Sequence, residues 1–162
     1  MIKNNCGTAK QGILSDDKII LFSKTGNNEK IELEVKMLET LKNLEFPIPS
    51  FKLGKKNNVF TIEQQYIKNS KLYKLSSDSF TFSNKIKQHI KHLVNLLIQN
   101  QMVISDLQFL YTDENIYIID PDNIFFITSN GVNHFHNNIR YKMSYVIDKF
   151  NQQINCLNSV CI

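Results

Sequence analysis

The chain has 162 residues and a mass of 18.9 kDa, which is room for one domain or for two small lobes that share a cleft. Hydrophobic residues make up 42% and charged residues 21%, a balance that provides a core and excludes a disordered tail. The net charge of +4 arises from lysines in almost every segment, whereas a dedicated nucleic-acid binder concentrates its positive charge on one stripe. We therefore expect no nucleic-acid partner.

The cysteines and the apolar runs exclude further classes of protein. The three cysteines, at positions 6, 156 and 161, lack metal-ligand spacing, so they favour neither a disulfide framework nor a zinc site and suit a reducing compartment. The longest apolar runs are far shorter than a membrane span, and the polar start of the chain lacks the apolar stretch of a secretory signal. We expect no membrane partner and no secretory signal peptide.

The first half of the sequence predicts a small antiparallel sheet with one helix. A glycine-containing segment opens it, since Gly7 and Gly12 flank four other residues. Apolar positions at three- and four-residue spacing predict a helix over residues 29–44, with Asn28 as its N-cap. Runs rich in β-branched residues predict strands at residues 13–15, 18–24, 50–53 and 59–67.

The second half is predicted to be mostly helical. A long amphipathic helix is expected over residues 85–101 and a final helix over residues 139–154. Short strands are predicted between them, at residues 103–105, 109–111 and 116–119. The fold class is therefore α+β, an antiparallel β half followed by a truncated helical half.

ATP-dependent phosphoryl transfer needs a cation on the phosphates, an acid that orients this cation, a carboxylate for the metal and another carboxylate near the acceptor hydroxyl. The sequence offers a candidate for each of these four groups. Lys24 ends a strand, and Glu34 lies in the following helix, where it can pair with Lys24; Glu32 competes if the helix phase differs. Asp106 follows the long helix, and Asp120 follows a short strand 14 residues later. A β-hairpin between the two aspartates would bring both to one end of a cleft.

Over roughly residues 5–127, this order resembles the protein-kinase fold. Residues 20–24 resemble the strand that carries the kinase lysine, residues 34–38 the helix that carries its glutamate, and residues 61–67 the hinge whose backbone binds adenine. Ile104-Ser105-Asp106-Leu107-Gln108 stands where kinases have His-Arg-Asp-Leu, and Ile118-Ile119-Asp120-Pro121-Asp122 stands where they have Asp-Phe-Gly.

The Asp-Leu-Gln and Ile-Asp-Pro pair is similar to the minimal kinases of bacterial effectors and toxins, especially the HopBF-type effectors. Members of that family resemble a client of the eukaryotic chaperone Hsp90 and phosphorylate it. The resemblance implies one kinase-like domain over residues 1–162, with an N-lobe of about 1–67 and a C-lobe of about 68–162. It also implies a monomeric bacterial protein Ser/Thr kinase delivered to the host cytoplasm, with Hsp90 as the leading substrate.

The resemblance further implies a role for each residue. Lys24 would hold the α- and β-phosphates of ATP, and Glu34 would orient Lys24. Asp120 would bind Mg²⁺ or Mn²⁺, with Gln108 as a weak further ligand, and Asp106 would accept or orient the proton of the acceptor hydroxyl. The residues expected at the nucleotide are Gly7, Thr8, Gly12, Lys24, Gln65 and Ile67.

One departure from the kinase pattern leaves an alternative open. Tyr111 occupies the position at which ordinary kinases carry an asparagine as second metal ligand. The chain could therefore be a nucleotide-binding pseudokinase that docks a partner without catalysis. A small-molecule phosphotransferase of the aminoglycoside type is a third possibility, but the short C-terminal half leaves little wall for its pocket. His89 and His92 lack a third metal ligand and are interpreted as surface residues.

Overall fold

Helices and antiparallel sheets make up the computed structural model, which describes residues 3–4, 10–75, 80–135 and 140–162. The helices in these ranges are α1 (Asn28–Asn43), α2 (Asn84–Gln99) and α3 (Met143–Ser159). The strands are β1 (Lys3–Asn4), β2 (Lys10–Ser15), β3 (Lys18–Ser23), β4 (Phe51–Lys56), β5 (Val59–Gln65), β6 (Lys71–Lys74), β7 (Met102–Ser105), β8 (Gln108–Tyr111), β9 (Ile116–Ile119), β10 (Asn123–Thr128) and β11 (Gly131–His134). The predicted α+β class is confirmed.

The first half forms one five-stranded antiparallel sheet in the order β1-β2-β3-β5-β4. The predicted first hairpin is present, but β2 begins at Lys10, three residues earlier than expected. Lys10 lies opposite Ser23 at one end of this hairpin. Asn57 and Asn58, with φ of 51° and 62°, form the two-residue turn between β4 and β5, because asparagine tolerates the left-handed backbone that such hairpins need.

Helix α1 begins one residue earlier than predicted, with a different cap. The side chain of Asn27, rather than that of Asn28, accepts from the backbone N–H groups of Glu29 and Lys30. Asn28 instead ties the helix to the sheet, since its Oδ1 accepts from Phe60 N at 2.8 Å. The helix start is therefore fixed both by a cap and by the β4–β5 hairpin.

Two apolar faces of α1 join the halves of the chain. One face packs on the first sheet through Ile31, Val35 and Leu38. The other contributes Met37 and Leu41 to the core of the second half. Glu34 lies on the same helix between these faces and is itself buried. The halves therefore share the helix that carries the candidate acid.

The second half contains two three-stranded sheets, in the orders β6-β8-β9 and β11-β10-β7. The chain passes from β7 through the β8–β9 hairpin to β10, which pairs with β7. The prediction of a mostly helical half therefore holds only in part: α2 and α3 are present, but six short strands accompany them. Helix α3 starts at Met143 and not at residue 139, which lies outside the described residues.

Strand β7 is an edge strand, and one side chain of α3 forms hydrogen bonds with backbone groups at its unpaired edge. Gln153 is 2% exposed; its Oε1 accepts from Ile104 N at 3.0 Å, and its Nε2 donates to Met102 O at 3.2 Å. A buried backbone group without a partner costs about 1–3 kcal/mol. Gln153 therefore fixes the strand that leads directly to Asp106.

Gln153→Leu is expected to lower the free energy of unfolding by about 2–4 kcal/mol, because it leaves two buried backbone groups of β7 unpaired. Gln152→Leu is the matched control, since Gln152 is the adjacent, exposed residue of the same helix. Urea denaturation of both variants measures the difference. Equal stability of the two variants would contradict this role of Gln153.

Candidate functional site

Three charged side chains from distant parts of the sequence meet in one cluster. Lys10 comes from the start of β2, Glu34 from α1 and Asp120 from the connection between β9 and β10. Lys10 Nζ donates to Glu34 Oε1 at 2.6 Å and forms a second ion pair with Asp120 Oδ1. The side chains of Lys10 and Glu34 are 10% and 9% exposed, whereas that of Asp120 is 34% exposed. The cluster is thus buried on one side and open to solvent at Asp120.

The prediction that Lys24 pairs with Glu34 is wrong, because Lys10 occupies that position. Side chains alternate along a strand, and Leu21 and Ser23, both buried, face α1. Lys10 lies directly opposite Ser23 and therefore points to the same face. Lys24 follows Ser23 in an exposed turn, in which Ser23 Oγ accepts from the backbone N–H of Thr25.

Glu34 is confirmed as the acid that faces the sheet, and Glu32 is exposed. The prediction from the sequence did not include Lys10, which is the lysine that contacts Glu34. The signal for it was the alternation in β3, which places residue 23 and not residue 24 on the face of α1. A lysine on the neighbouring strand opposite position 23 is the one that reaches Glu34.

The pKa values of Lys10 and Glu34 reflect the presence of one buried cation beside two carboxylates. Burial by itself lowers the pKa of Lys10, but the carboxylates of Glu34 and Asp120 outweigh it and raise that pKa above its usual value. Burial raises the pKa of Glu34; Lys10 opposes this rise, and the negative charge of Asp120 adds to it. Lys10 therefore stays a cation, and it faces more negative charge than one lysine neutralises.

The predicted β-hairpin between the two aspartates is present. Asp106 follows the last residue of β7, and Asp120 follows the last residue of β9. Ser105 pairs with Asn123, and Gln108 pairs with Ile119. The connection that carries Asp106 and the connection that carries Asp120 therefore lie at the same end of the paired strands.

Both aspartates have an unusual backbone. The φ of Asp106 is 53° and that of Asp120 is 52°, in the left-handed region that most residues avoid. The residue after each is buried: Leu107 is 1% exposed, and Pro121 is also in the interior. A buried apolar anchor after each left-handed aspartate holds both connections, and such backbone conformations cluster at functional sites.

Gln108 lies beside Asp120. It is buried, at 7% exposure, and its Nε2 donates to Asp120 Oδ2 at 3.5 Å. The two carboxylate oxygens of Asp120 thus face different partners, since Oδ1 faces Lys10. This arrangement orients the carboxylate with one cation and one amide.

The structure describes only part of the glycine-containing segment that was expected at the nucleotide. Gly7 and Thr8 lie outside the described residues. Gly12 is not in a loop, because it lies within β2 opposite Leu21 and pairs with Asn4 of β1 on its other side. Gly12 is therefore not part of a loop, and it shares the face of Lys10 two residues along the strand.

The predicted adenine residues lie at the other end of the sheet. Gln65 pairs with Lys18 at the start of β3, whereas Lys10 pairs with the last residue of β3. The backbone N–H of Gln65 already donates to Ser50 O at 2.9 Å, so it cannot also bind a base. Ile67 is buried at 6% exposure just beyond β5. An adenine there would have to use other backbone groups of this segment.

The donor set fits a Mg²⁺ ion that arrives with a nucleotide. In the part of the chain that the structure describes, no group of three or more His, Cys, Asp or Glu side chains could hold a metal ion. A nucleotide-bound Mg²⁺ needs only one or two protein carboxylates, because phosphate oxygens and water supply the other ligands. Asp120, oriented and partly exposed beside Lys10, is suited to that role.

Tyr111 offers no replacement for the missing asparagine. It lies on β8 opposite Lys71, and its ring packs edge-to-face against Phe82 with centroids 4.9 Å apart. Tyr111 therefore packs in the aromatic core of the second half.

No protein-family model matches the sequence, and a search of curated proteins finds none similar to it. Within the described ranges, none of the helices has both the length and the apolarity to cross a membrane.

Proposed function

We propose that the protein is an ATP-dependent kinase that transfers the γ-phosphoryl group to a hydroxyl. The observation that carries this proposal is the buried contact of Lys10 with Glu34, at 2.6 Å, with Asp120 on its open side. Phosphoryl transfer is catalysed by positioning and by electrostatic stabilisation, and it needs a fixed cation beside a metal-binding carboxylate. The site combines these two requirements.

Lys10 and Glu34 act as a unit in this proposal. Lys10 binds nonbridging phosphate oxygens of ATP, because its ammonium group is the cation of the cluster. Glu34 holds the lysine in one rotamer, and the contact between them is buried. In this proposal, Lys10 takes the role that the resemblance to kinases assigns to Lys24.

The two aspartates divide the remaining work. Asp120 would hold Mg²⁺, and Gln108 would orient its second oxygen. Bound Mg²⁺ supplies charge neutralisation as the phosphoryl group moves. Asp106 is exposed at the same end of the strands, and it accepts the proton of the acceptor hydroxyl.

The nature of the acceptor is proposed from the resemblance to effector kinases. We assign the transfer to Ser or Thr of a host protein, with Hsp90 as the first candidate, by a monomeric bacterial protein delivered to the host cytoplasm. The alternative acceptor, a small hydroxylated molecule, is tested by adding such compounds in place of protein in the same experiment.

Incubation with ATP that is radiolabelled at the γ- or the α-phosphate tests the proposal. With Mg²⁺, we expect label from γ-labelled ATP in Hsp90 or another added protein, and phosphoserine or phosphothreonine after acid hydrolysis. EDTA should abolish the labelling. Labelling from α-labelled ATP would indicate nucleotidyl transfer instead, and no labelling from either would contradict the proposal.

A second candidate is a nucleotide-binding protein without catalysis, favoured by the packing of Tyr111 where kinases place a metal ligand. It predicts that Mg²⁺ and ATP raise the melting temperature while no phosphate is transferred.

A further inference from the structure

A cavity of about 310 Å³ lies between α3 and the strands β7 and β10, and Asp106 lines it. The other lining residues are Leu75, Val103, Ile104, Ser105, Leu107, Phe125, Tyr141, Tyr145, Lys149, Gln152 and Gln153. None of the three residues of the Lys10 cluster is among them. Asp106 therefore lines a cavity apart from this cluster, although its connection lies at the same end of the strands as that of Asp120.

We propose that this cavity is the acceptor site and that it binds an extended polypeptide segment with an acidic residue next to the phosphorylated hydroxyl. This inference rests on the proposed kinase function and adds the class of acceptor sequence. Among the described residues that line the cavity, Asp106 is the one carboxylate and Lys149 the one cation. The hydroxyl belongs at Asp106, and the acidic side chain belongs at Lys149.

An aromatic row leads from the floor of the cavity to Lys149. The ring of Phe125 contacts that of Tyr141 edge-to-face at 4.7 Å, and Tyr141 stacks on Tyr145 at 5.9 Å with an interplanar angle of 17°. Lys149 Nζ lies 5.6 Å from the centre of the Tyr145 ring. This contact restrains the lysine, so that it loses less freedom when it binds an anion.

The polarity of the cavity favours a polypeptide over a small molecule. Sites that enclose small ligands are mostly apolar and bury most of the ligand surface. Here the apolar floor, with Val103 and Phe125, is overlaid by tyrosine, glutamine and lysine side chains, and Tyr145 is 47% exposed. Tyrosine-rich polar surfaces of this kind suit protein segments, because they combine rigid contact area with hydrogen bonds.

The segment must bind through its side chains. An extended peptide often adds a strand to a sheet edge, but the edge of β7 at Met102 and Ile104 is already occupied by Gln153. Pairing with the backbone is therefore closed there. Charge complementarity at Lys149 and contact with the tyrosines remain as the means of recognition.

Two serine peptides that differ only in flanking glutamates or flanking lysines test the inference on the full chain. With Mg²⁺ and ATP, we expect at least about tenfold higher kcat/KM for the acidic peptide, as one charge-assisted contact provides. In Lys149→Glu, the KM for the acidic peptide should rise about tenfold and the preference should be lost, while the KM for ATP stays unchanged. Lys91→Glu, a charge reversal at an exposed position of α2, should behave as the wild type. Lys149→Gln should show a smaller change in the same direction.

The possible failures separate the two proposals. Equal rates with both peptides, equal behaviour of the Lys149 and Lys91 variants, or transfer to small hydroxylated compounds alone would each overturn the acceptor site and leave the kinase function standing. Absence of γ-phosphoryl transfer by the wild type, with or without ATP binding, would overturn the kinase function, and the acceptor site with it.

Discussion

Replacing Lys10 by methionine is expected to lower γ-phosphoryl transfer by about 10²–10³-fold, the usual loss when one fixed electrostatic contact to the transition state is removed. Methionine keeps the length and the apolar stem of the side chain but loses the ammonium group that lies between Glu34 and Asp120. Lys24→Met is the matched control and should keep near wild-type activity, because Lys24 lies in an exposed turn. The initial rate of transfer from γ-labelled ATP measures both variants.

The stability of the Lys10 variant needs its own control. Removing one partner of a buried ion pair costs about 3–5 kcal/mol, since Glu34 would remain as an unpaired buried charge. The double variant Lys10→Met with Glu34→Gln removes that charge, and it should regain much of the stability without regaining activity. Activity in this folded double variant, or a greater loss in Lys24→Met than in Lys10→Met, would contradict the role of Lys10.

Substitutions of the two aspartates are expected to have different effects on phosphoryl transfer and on ATP binding. Asp106→Asn should lower transfer by about 10²–10⁴-fold, the contribution of a positioned general base, and leave ATP binding intact. Asp120→Asn should lower transfer and also abolish the part of ATP binding that depends on Mg²⁺, because Asp120 is the proposed metal ligand. Initial rates and the affinity for ATP with and without Mg²⁺ distinguish these results.

Asp113→Asn provides a matched control for the aspartate variants. Asp113 is exposed in the turn of the β8–β9 hairpin, at the end opposite to Asp106 and Asp120. It should leave both transfer and metal-dependent binding unchanged. If Asp106→Asn retained full activity, or if Asp120→Asn kept its Mg²⁺-dependent affinity, the division of roles would be wrong.

The sequence predicted well those elements that depend on local pattern. The periodicity of apolar residues located α1 and α2 within one or two residues. The short strands on either side of residues 112–115 predicted the hairpin that brings Asp106 and Asp120 to one end. These features follow from side-chain spacing and turn-forming residues, which act over a few positions.

The sequence predicted less well those features that depend on contacts between distant residues. Lys24 was expected to pair with Glu34 because it ends a strand just before α1. The lysine that faces α1 is instead determined by the pairing of Lys10 on β2 with Ser23 on β3. Gly12 was interpreted as part of a loop because glycine favours turns, whereas here the neighbouring strands draw it into the sheet. Gln153 gave no signal at all, since its role depends on α3 lying along the open edge of β7.

The most direct measurement is a crystal structure of the full chain with Mg²⁺ and a nonhydrolysable ATP analogue. We expect Lys10 Nζ within hydrogen-bond distance of a phosphate oxygen while it keeps its contact with Glu34, and the metal ion on the carboxylate of Asp120. A triphosphate bound elsewhere, with Lys10 still enclosed by its two carboxylates, would contradict the assignment of this cluster as the phosphate site.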